Sequence, residues 1–528
     1  MPPADPDQPP EGEREDLAEL RARRALTEDA ARAEAVERRH ATGARTAREN
    51  IAELIDPGSF VEYGRYAIAA QRTRRELDEL LTRTPADGLL AGTATVNAGL
   101  FGPQRSAAAV LSYDYTVLAG SQGAIGHRKK DRLFELIERM RLPTVFFTEG
   151  GGGRPGDTDY AVVSALDTRA FALWARLSGV VPRIAIVSGR CFAGNAVLAG
   201  AADLIVATES ANLGMGGPVM VEGGGLGSFE PEQIGPIEVQ SRNGVVDVRV
   251  GEEAEAVDVA KRLLGYFQGD LAEWEAPDQT RLRDVVPEIR RRAYDVHKAI
   301  DGLVDSGSIT YLREQFAPEM VVALARIEGR PLGIIANNPM HVGAITSDGA
   351  GKAARLLQLC DAFELPVLSL IDTPGIMVGP EAEESALVRH SARLFVAGAA
   401  LRVPFVAVIL RKAYGLGAQA MAAGSLHEPL LTVGWPTAEL GAMGLEGAVK
   451  LAMRRELEAI EDEAERAAYL AELVADAHEH GKALNAATLF ELDDVIDPAE
   501  TRGLIARTFA AAAPRERRED RPRFVDPW

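Results

Sequence analysis

The segment IAIVSGRCFAGNA, Ile184–Ala196, decides the fold of this chain together with a second segment of the same form, VAVILRKAYGLGA, at Val406–Ala418. Each begins with a short apolar run typical of a buried strand and ends in a turn of glycine and other small residues. The ends of the two segments and their aromatic residues, Phe192 and Tyr414, keep one separation of 222 positions. Matches at a constant separation predict two tandem copies of one domain.

A second group of residues recurs at almost the same separation, 223 positions. It pairs Lys129, Arg132, Leu133, Leu142 and Pro143 with Lys352, Arg355, Leu356, Leu365 and Pro366. The stretch between the copies is rich in charge, and we expect the boundary near residue 270. The domains are then expected at 26–270 and 271–515, with a disordered tail over 1–25 and a second tail over 516–528.

Composition limits the class of protein. The chain has 528 residues, 46% of them hydrophobic, a net charge of -20 and two cysteines. Two large domains suit this length, and the acidic balance argues against nucleic-acid binding. Two cysteines are too few for a disulfide framework or a four-cysteine zinc site. Charged residues interrupt each apolar run, and the start is proline-rich and acidic, so we expect no membrane span, no secretory signal and a cytoplasmic protein.

Helical and strand patterns alternate in both copies. In the first we expect a helix over 129–140, a strand over 144–148, a helix over 160–177 and a strand over 184–187. In the second we expect strands over 332–336, 367–371 and 406–410, with helices over 351–363 and 384–399. This order favours an α/β fold in which strand, turn and helix form a site.

The two turns are candidate oxyanion holes. Backbone N–H groups in a turn between a strand and a helix can point at a ligand oxygen, and glycine allows that oxygen to approach closely. The alternative is that the small residues only permit tight packing of the helix. Duplication of the turn in a matched context favours the first interpretation.

Two further loops follow strands at equivalent places, 149–156 and 372–379. The first is a glycine run that ends in Arg154, which could hold a phosphate or a carbonyl oxygen, although such a run can also be a plain flexible loop. Neither loop matches a nucleotide-binding pattern, so we expect no ATP site. Glu149 and Asp372 could act as bases or could cap the next turn. Arg128, Lys129 and Lys130 could meet a phosphate or could form a solvated helix start.

The eight histidines lack metal-ligand spacing, and no hydrolytic triad is present, so we expect no bound metal.

The chain resembles the carboxyltransferase (beta) subunits of biotin-dependent acyl-CoA carboxylases, of the propionyl-, methylcrotonyl- and acetyl-CoA type. The resemblance covers nearly the whole chain and rests on motifs in the family order. They are TARENI from Thr46, LIDPGSFVE from Leu54, DYTVLAGS from Asp114, EGRPLGIIAN from Glu328, CDAFELPVL from Cys360, RKAYG from Arg411, WPTAE from Trp435 and MGLEGAV from Met443.

This resemblance implies two tandem crotonase-like domains of the ClpP/crotonase superfamily. It implies that amides at Ala193 and Gly194 hold the thioester oxygen of acyl-CoA as an enolate, and that amides at Leu416 and Gly417 hold the ureido oxygen of biotin. It implies no protein base, because the biotin nitrogen takes the α-proton. Further substrate- and cofactor-binding residues are expected at Gly151, Gly152, Gly153, Arg154, Phe192, Asn195, Gly216, Gly217, Pro218, Tyr414, Gly415, Ala418 and Gln419.

The resemblance also implies partners. Carboxybiotin would come from a biotin carboxyl carrier and a biotin carboxylase on another polypeptide, since this chain has neither a Met-Lys-Met biotinylation site nor an ATP-grasp-like loop. A homo-oligomer is expected, a hexamer or part of a larger complex, with each active site between the N-terminal domain of one subunit and the C-terminal domain of another.

Two departures from the family leave the acyl substrate open. The loop at 149–154 reads EGGGGR where relatives have SGGAR, and Gln419 replaces an acid that shapes the acyl pocket. The alternatives are a decarboxylase or transcarboxylase subunit and a catalytically silent assembly paralogue. Replacing Gly194 or Gly417 with a bulky β-branched residue is expected to abolish transfer and leave assembly intact.

Overall fold

The computed structural model of the chain describes residues 14–160, 164, 166–512 and 524–528. The chain forms two compact units. The first comprises Met1–Gln240 and Arg249–Leu264, and the second comprises Ser241–Val248 and Gly265–Trp528. The main division lies at 264/265, six residues before the expected boundary, and residues 241–248 join the second unit.

The first unit is built around a seven-stranded sheet. Its elements, including those that cross the division, are α1 Glu15–Ala25, α2 Ala33–His40, α3 Ala47–Leu54, β1 Val61–Glu62, α4 Leu77–Arg83, β2 Leu89–Thr95, α5 Ala98–Phe101, β3 Ala107–Tyr113, α6 Ala124–Met140, β4 Thr144–Phe147, α7 Ala170–Arg176, β5 Arg183–Val187, β6 Arg190–Phe192, α8 Gly194–Gly200, β7 Leu204–Thr208, β8 Asn212–Gly214, α9 Pro218–Gly223, α10 Ile237–Arg242, β9 Val248–Val250 and α11 Glu253–Gln268.

The strand order in this sheet is β1-β2-β3-β4-β5-β7-β9. β1, β2 and β3 pair antiparallel, whereas β3, β4, β5 and β7 pair parallel. β4, β5 and β7 are buried along their whole length, which explains why they read as nearly continuous apolar runs. Phe134 of α6, Phe146 of β4 and Trp174 of α7 form an aromatic cluster between sheet and helices. β6 and β8 form a separate parallel pair beside the main sheet.

The second unit repeats this plan. Its elements are α12 His297–Leu303, β10 Thr310–Leu312, β11 Met320–Ile327, β12 Arg330–Asn337, α13 Ser347–Ala362, β13 Val367–Thr373, α14 Pro380–Glu384, α15 Leu387–Ala399, β14 Phe405–Tyr414, α16 Gly415–Met421, β15 Leu431–Gly434, β16 Glu439–Gly441, α17 Leu445–Ala452, α18 Arg454–Ala459, α19 Glu463–His480, α20 Ala483–Thr488, β17 Asp494–Val495 and α21 Thr501–Ala511.

Its sheet has the order β10-β11-β12-β13-β14-β15-β17, with β16 paired to β14. β10, β11 and β12 are antiparallel, and β12 to β15 are parallel, as are β15 and β17. The long strand β14 corresponds to both β5 and β6, because its last residues pair with β16 as β6 pairs with β8. The α/β fold and the duplication are therefore confirmed.

Most of the expected elements are present, with shifted ends. The helix predicted over 129–140 starts earlier, at Ala124, because Gly123 supplies the extended residue before it. The helix predicted over 160–177 is seen as α7, and residues 161–163 and 165 lie outside the described residues. The helix predicted over 384–399 is found as α15, which starts at Leu387 because Ala386 takes a left-handed conformation before it.

Both predicted tails differ from the structure where it describes them. α1 occupies Glu15–Ala25 inside the expected tail 1–25. At the other end Val525 is buried, and the ring of Trp528 lies 5.6 Å from that of Phe316. Residues 1–13 and 513–523 lie outside the described residues. The last five residues therefore pack on the second unit.

Among the described residues, no helix is both long enough and apolar enough to cross a bilayer. In the same part of the chain, no group of three or more His, Cys, Asp or Glu side chains is arranged to bind a metal ion.

Candidate active site

The turn of the first unit joins β6 to α8 at Ala193. This residue has φ +50° and ψ −122°, a backbone conformation that residues with a β-carbon rarely adopt. Its N–H donates to the carbonyl of Gly214 at the end of β8, with an N–O distance of 3.1 Å. The strained turn is thus fixed by the parallel pair β6 and β8, and strain of this kind is typical of functional sites.

One amide of this turn remains open. Among the described residues, nothing accepts a hydrogen bond from the N–H of Gly194, the residue after the strained position. The expected pair Ala193 and Gly194 therefore supplies one free donor, because the Ala193 amide is already bonded inside the fold.

The glycine loop lies directly against the turn. A β-carbon on Gly152 would sit 2.7 Å from Cβ of Ala193 and 3.6 Å from the nitrogen of Gly194. Only a glycine therefore leaves room in front of the Gly194 amide. The N–H of Gly152 donates to Oδ1 of Asn195 over 3.1 Å, and its carbonyl accepts from the N–H of Gln122 over 2.7 Å. The next residue, Gly153, has an N–H with no acceptor among the described residues.

Arg154 is not available to a ligand phosphate. Its side chain is nearly buried and forms ion pairs with Asp87 over 2.5 Å and Asp157 over 2.8 Å. Burial would lower the pKa of Arg154, but these two carboxylates outweigh it and raise the pKa. The expected binding role of Arg154 is thus not supported. Gly151, earlier in the loop, is exposed and donates its N–H to the carbonyl of Ala119.

The segment after β8 packs against the ring of Phe192. A β-carbon on Gly217 would lie 3.3 Å from Cδ2 of Phe192, so this ring packs against the backbone there. Gly216 and Pro218 flank the contact, and α9 begins at Pro218. The structure therefore brings this expected binding segment next to the turn.

The second unit builds the same turn with other residues. Gly415, at the start of α16, has φ +55° and corresponds to Ala193. Gly417 packs on the backbone of the loop after β13, since a β-carbon there would lie 2.6 Å from the carbonyl carbon of Gly375. The side chain of Leu416 is 61% exposed, and nothing among the described residues accepts from its N–H. Ala418 is buried and Gln419 is exposed.

The two loops share one pairing, with the segment that precedes α6 in the first unit and α13 in the second. Gln122 donates to Gly152, and 223 positions later Ile345 donates its N–H to the carbonyl of Gly375 over 3.0 Å. Isolated β-bridges join Gln122 to Gly153 and Ile345 to Ile376. As with Gly153, no described residue accepts from the N–H of Ile376.

The constant separation also aligns the turns, and it pairs Gly194 with Leu416 and Asn195 with Gly417. The two expected amide pairs, Ala193 with Gly194 and Leu416 with Gly417, are therefore one position out of register.

Both acids at the strand ends are held in ion pairs. Glu149 accepts from Arg39 over 3.0 and 2.5 Å, and Asp372 accepts from Nε of Arg411 over 3.0 Å. Burial raises the pKa of Glu149 and of Asp372, although the neighbouring guanidinium opposes the rise. These contacts favour the structural role over the base.

Tyr414 also points into the protein. Its hydroxyl donates to Glu439, which also meets Nη1 of Arg290 over 3.1 Å and Nδ1 of His478 over 2.9 Å. Burial raises the pKa of Tyr414, and the hydrogen bond to Glu439 raises it further. Tyr414 thus anchors the turn and leaves its backbone for binding.

Sequence analysis missed the side chain that lies under the first turn. A β-carbon on Gly194 would come within 2.8 Å of Nε2 of Gln122. Gln122 and its neighbour Lys130 are buried, and neither belongs to a recognisable motif. The one available signal was a pair of adjacent lysines, Lys129 and Lys130, on a helix with an apolar face.

Comparisons with known proteins identify the family of this chain. A carboxyl transferase domain matches residues 38–524. The methylmalonyl-CoA carboxyltransferase 12S subunit of Propionibacterium freudenreichii subsp. shermanii is 32% identical, over 97% of this chain and 96% of the relative. The crystal structure of a transcarboxylase 12S hexamer with methylmalonyl-CoA bound has a TM-score of 0.82 at 29% identity, over 97% of this chain and 98% of that one.

A third similar protein is larger. A single-chain, multi-domain long-chain acyl-CoA carboxylase is 57% identical with a TM-score of 0.90, over 94% of this chain. The match covers 49% of that chain, so this chain spans about half its length. With these likenesses, both units have the crotonase-like fold, and the chain belongs to the carboxyl transferase family.

Proposed function

We propose that this protein is the carboxyltransferase of a biotin-dependent acyl-CoA carboxylase, and that each unit supplies one oxyanion hole. The observation that carries the proposal is the repeated turn, which in both units has an open amide, at Gly194 or Leu416, and packs on a glycine of the neighbouring loop, Gly152 or Gly375. Donors fixed in advance stabilise a developing oxyanion without reorganising when the reaction occurs. This arrangement needs no catalytic side chain at the turn.

The first hole would hold the thioester oxygen of acyl-CoA. Its donors are the N–H groups of Gly194 and Gly153, which are the open amides of the turn and of the loop. Gly152 lies between them and has no side chain to fill the space. A negative charge on the thioester oxygen, formed when the α-carbon loses its proton, would be stabilised there.

The second hole would hold the ureido oxygen of biotin. The equivalent open amides are those of Leu416 and Ile376, and Gly375 takes the place of Gly152. The close packing of Gly417 on Gly375 fits a site that binds an oxygen through backbone donors. Biotin, when bound, supplies the carboxyl group and a ring nitrogen that accepts a proton. The α-carbon of the acyl-CoA thus gains the carboxyl group and loses its proton to that nitrogen.

The similar proteins support a proposal for the partners and the substrate class. A biotin carboxyl carrier would deliver the carboxyl group, and a biotin carboxylase would load it. The 57% identical protein is a long-chain acyl-CoA carboxylase, which favours a long acyl chain here. The 12S relative favours a second candidate, a transcarboxylase that moves the carboxyl group between two thioesters. We propose a homo-oligomer, since the similar transcarboxylase 12S protein assembles as a hexamer.

The reverse reaction tests the proposal on the purified protein. Malonyl-CoA, methylmalonyl-CoA, methylglutaconyl-CoA and a 2-carboxylated long-chain acyl-CoA would each be offered with free biotin. We expect biotin-dependent loss of the carboxyl group, fastest from the long-chain thioester. Turnover only after an acceptor thioester is added would favour the transcarboxylase. No turnover by an assembled oligomer would favour a silent assembly protein.

A further inference from the structure

A buried polar chain runs from Lys130 to the glycine loop of the first unit. Nζ of Lys130 donates to Oε1 of Gln122 over 2.5 Å and contacts the hydroxyl of Tyr113 over 2.9 Å. Nε2 of Gln122 donates to Oδ1 of Asn195 over 3.0 Å. The same Oδ1 accepts the N–H of Gly152. The side chains of Gln122 and Asn195 therefore connect the amine of Lys130 to the backbone that lines the proposed thioester hole.

The lysine fixes the direction of this chain. When Lys130 is protonated, its ammonium group has three donors and no acceptor, so Gln122 presents its oxygen to Lys130 and its NH₂ to Asn195. Asn195 must then turn its oxygen towards Gln122 and Gly152. Its NH₂ points the other way and donates to the carbonyl of Thr148 over 3.2 Å. One charged group thus sets the orientation of two amide side chains.

The amine lies in an unusual environment for a lysine. Lys130 is fully buried, and no carboxylate among the described residues forms an ion pair with it. The rings of Tyr113 and Phe171 lie 5.6 and 5.9 Å from Nζ. Burial lowers the pKa of Lys130 to about 7, and the charges of Asp131 and Asp87 offset only part of this effect. Burying a charge without an ionic partner destabilises the fold, so Lys130 is not explained by a contribution to stability.

The second unit shows that the fold does not need this chain. At the same register the positions of Gln122, Lys130 and Asn195 are taken by Ile345, Ala353 and Gly417. All three are buried, and none has a polar side chain. The loop bond from residue 345 to residue 375 is nevertheless kept. The polar chain is thus specific to the half of the duplicated site that we assign to the thioester.

A neighbouring lysine provides the contrast. Lys129 donates Nζ to the carbonyls of Ala86, over 3.0 Å, and of Leu89. Its counterpart Lys352 donates to the carbonyls of Phe316 and Ala317 over 2.7 and 3.3 Å. This lysine is repeated in both units and ties loops to the helix, so it has a structural role. Lys130 occurs once and leads to the turn.

We infer that Lys130 is a positioning residue for carboxyl transfer, which acts through Gln122 and Asn195 to hold Gly152 clear of the Gly194 amide and to place positive charge behind the thioester oxygen. This inference rests on the proposed function. The acyl-CoA enolate carries more negative charge on this oxygen than the bound thioester does. Lys130 is therefore expected to affect turnover more than substrate binding.

The test compares Lys130→Met, Gln122→Glu and Lys129→Met with the unchanged protein in the reverse assay. Methionine fills the buried volume without an amine. Glutamate still accepts from Lys130, but it cannot donate to Asn195 and it neutralises the charge. We expect both changes to lower kcat about tenfold or more, with KM for the carboxylated acyl-CoA changed less than about twofold. Lys129→Met should lower the melting temperature and leave kcat within about twofold.

The outcomes separate the two proposals. If the unchanged protein has no activity, the proposed function fails and this inference fails with it. If the unchanged protein is active and Lys130→Met keeps its kcat within twofold, only the role of Lys130 is overturned. An equal loss of kcat in Lys130→Met and Lys129→Met would likewise show that Lys130 has only a structural role. If Lys130→Met does not fold, Gln122→Glu, which gives the buried ammonium group a carboxylate partner, decides by the same criteria.

Discussion

Ala193 and Gly415 lie 222 positions apart, and both have a positive φ, +50° and +55°. Each follows the last residue of a strand and leads into a short helix, α8 or α16. Glycine adopts positive φ readily, whereas alanine does so with strain. The second unit therefore makes the turn without strain, and the first makes it against the preference of its residue. The geometry of the turn has been kept although its sequence has changed.

Changing Ala193 should test this strain directly. Ala193→Gly removes the β-carbon that disfavours positive φ, so we expect an unchanged or slightly higher melting temperature and retained activity. Ala193→Val adds branching where the backbone already resists a side chain, and it should destabilise the first unit by about 1 to 3 kcal/mol. Thermal unfolding followed by circular dichroism would measure both. A valine variant as stable as the unchanged protein would show that the turn relaxes freely.

Gly152→Ala should abolish carboxyl transfer. The new methyl group would lie 2.7 Å from Cβ of Ala193, and Gly152 itself has φ +87°. The loop must move, and with it the space before the Gly194 amide, so we expect kcat to fall by about 100-fold or more.

The matched control for this change is Gly200→Ala, in α8 just beyond the turn. A β-carbon at Gly200 meets nothing within 4 Å. It should leave kcat and the melting temperature nearly unchanged. Equal activity of the two variants would show that Gly152 is not part of the proposed oxyanion hole.

The fold could be predicted from the sequence because the same pattern of strand and turn occurs twice. Long apolar strands such as β5 and β14, each followed by a turn of small residues, repeat at a fixed separation, and a duplicated pattern is hard to produce by chance. The ends of elements were less certain. The start of α6 at Ala124 depends on the N–H of Ala124 donating to Asp157 over 2.8 Å, a contact that no local pattern predicts.

The site was only partly predictable, because its decisive contacts are between segments distant in sequence. Arg154 looked like a phosphate ligand, but Asp87, 67 positions away, holds its guanidinium. Gly194 and Gly417 looked replaceable without harm to the fold. In the structure a β-carbon on Gly417 would meet the Gly375 backbone at 2.6 Å, and one on Gly194 would meet Gln122 at 2.8 Å. Bulky changes at either position should therefore disturb packing as well as activity.

His127 should make the first unit sensitive to mild acid. Burial lowers the pKa of His127 to about 3, and Lys130 and Arg154 nearby contribute to this lowering. Its Nδ1 is buried with no partner among the described residues, and its ring lies 6.3 Å from that of Phe171. In the unfolded chain the pKa of a histidine is near 6.5. Below that pH the unfolded chain therefore binds a proton that the folded protein does not bind. Stability is therefore lost as the pH falls below about 6.5.

The measurement compares the protein with His127→Leu at pH 7.5 and pH 5.0. We expect acid to reduce the free energy of unfolding of the histidine protein by about 1 to 2 kcal/mol more than that of the leucine variant. Urea unfolding at both values would give this difference, and all other groups cancel in it. The same loss in both proteins would mean that His127 becomes protonated without cost in the folded state.

Gln419→Asp should shift the choice of acyl-CoA towards short chains. Gln419 and Leu416 are both exposed and lie three residues apart on α16, so they share the face of that helix on which we propose the second hole. If a long acyl chain crosses this face, a carboxylate there must lose water against an apolar tail, which is unfavourable. We expect kcat/KM for a long-chain thioester to fall about tenfold relative to that for malonyl-CoA. Gln419→Asn, which has the same size as aspartate and no charge, is the control and should keep the original preference. Equal profiles for the two variants would place the acyl chain away from α16.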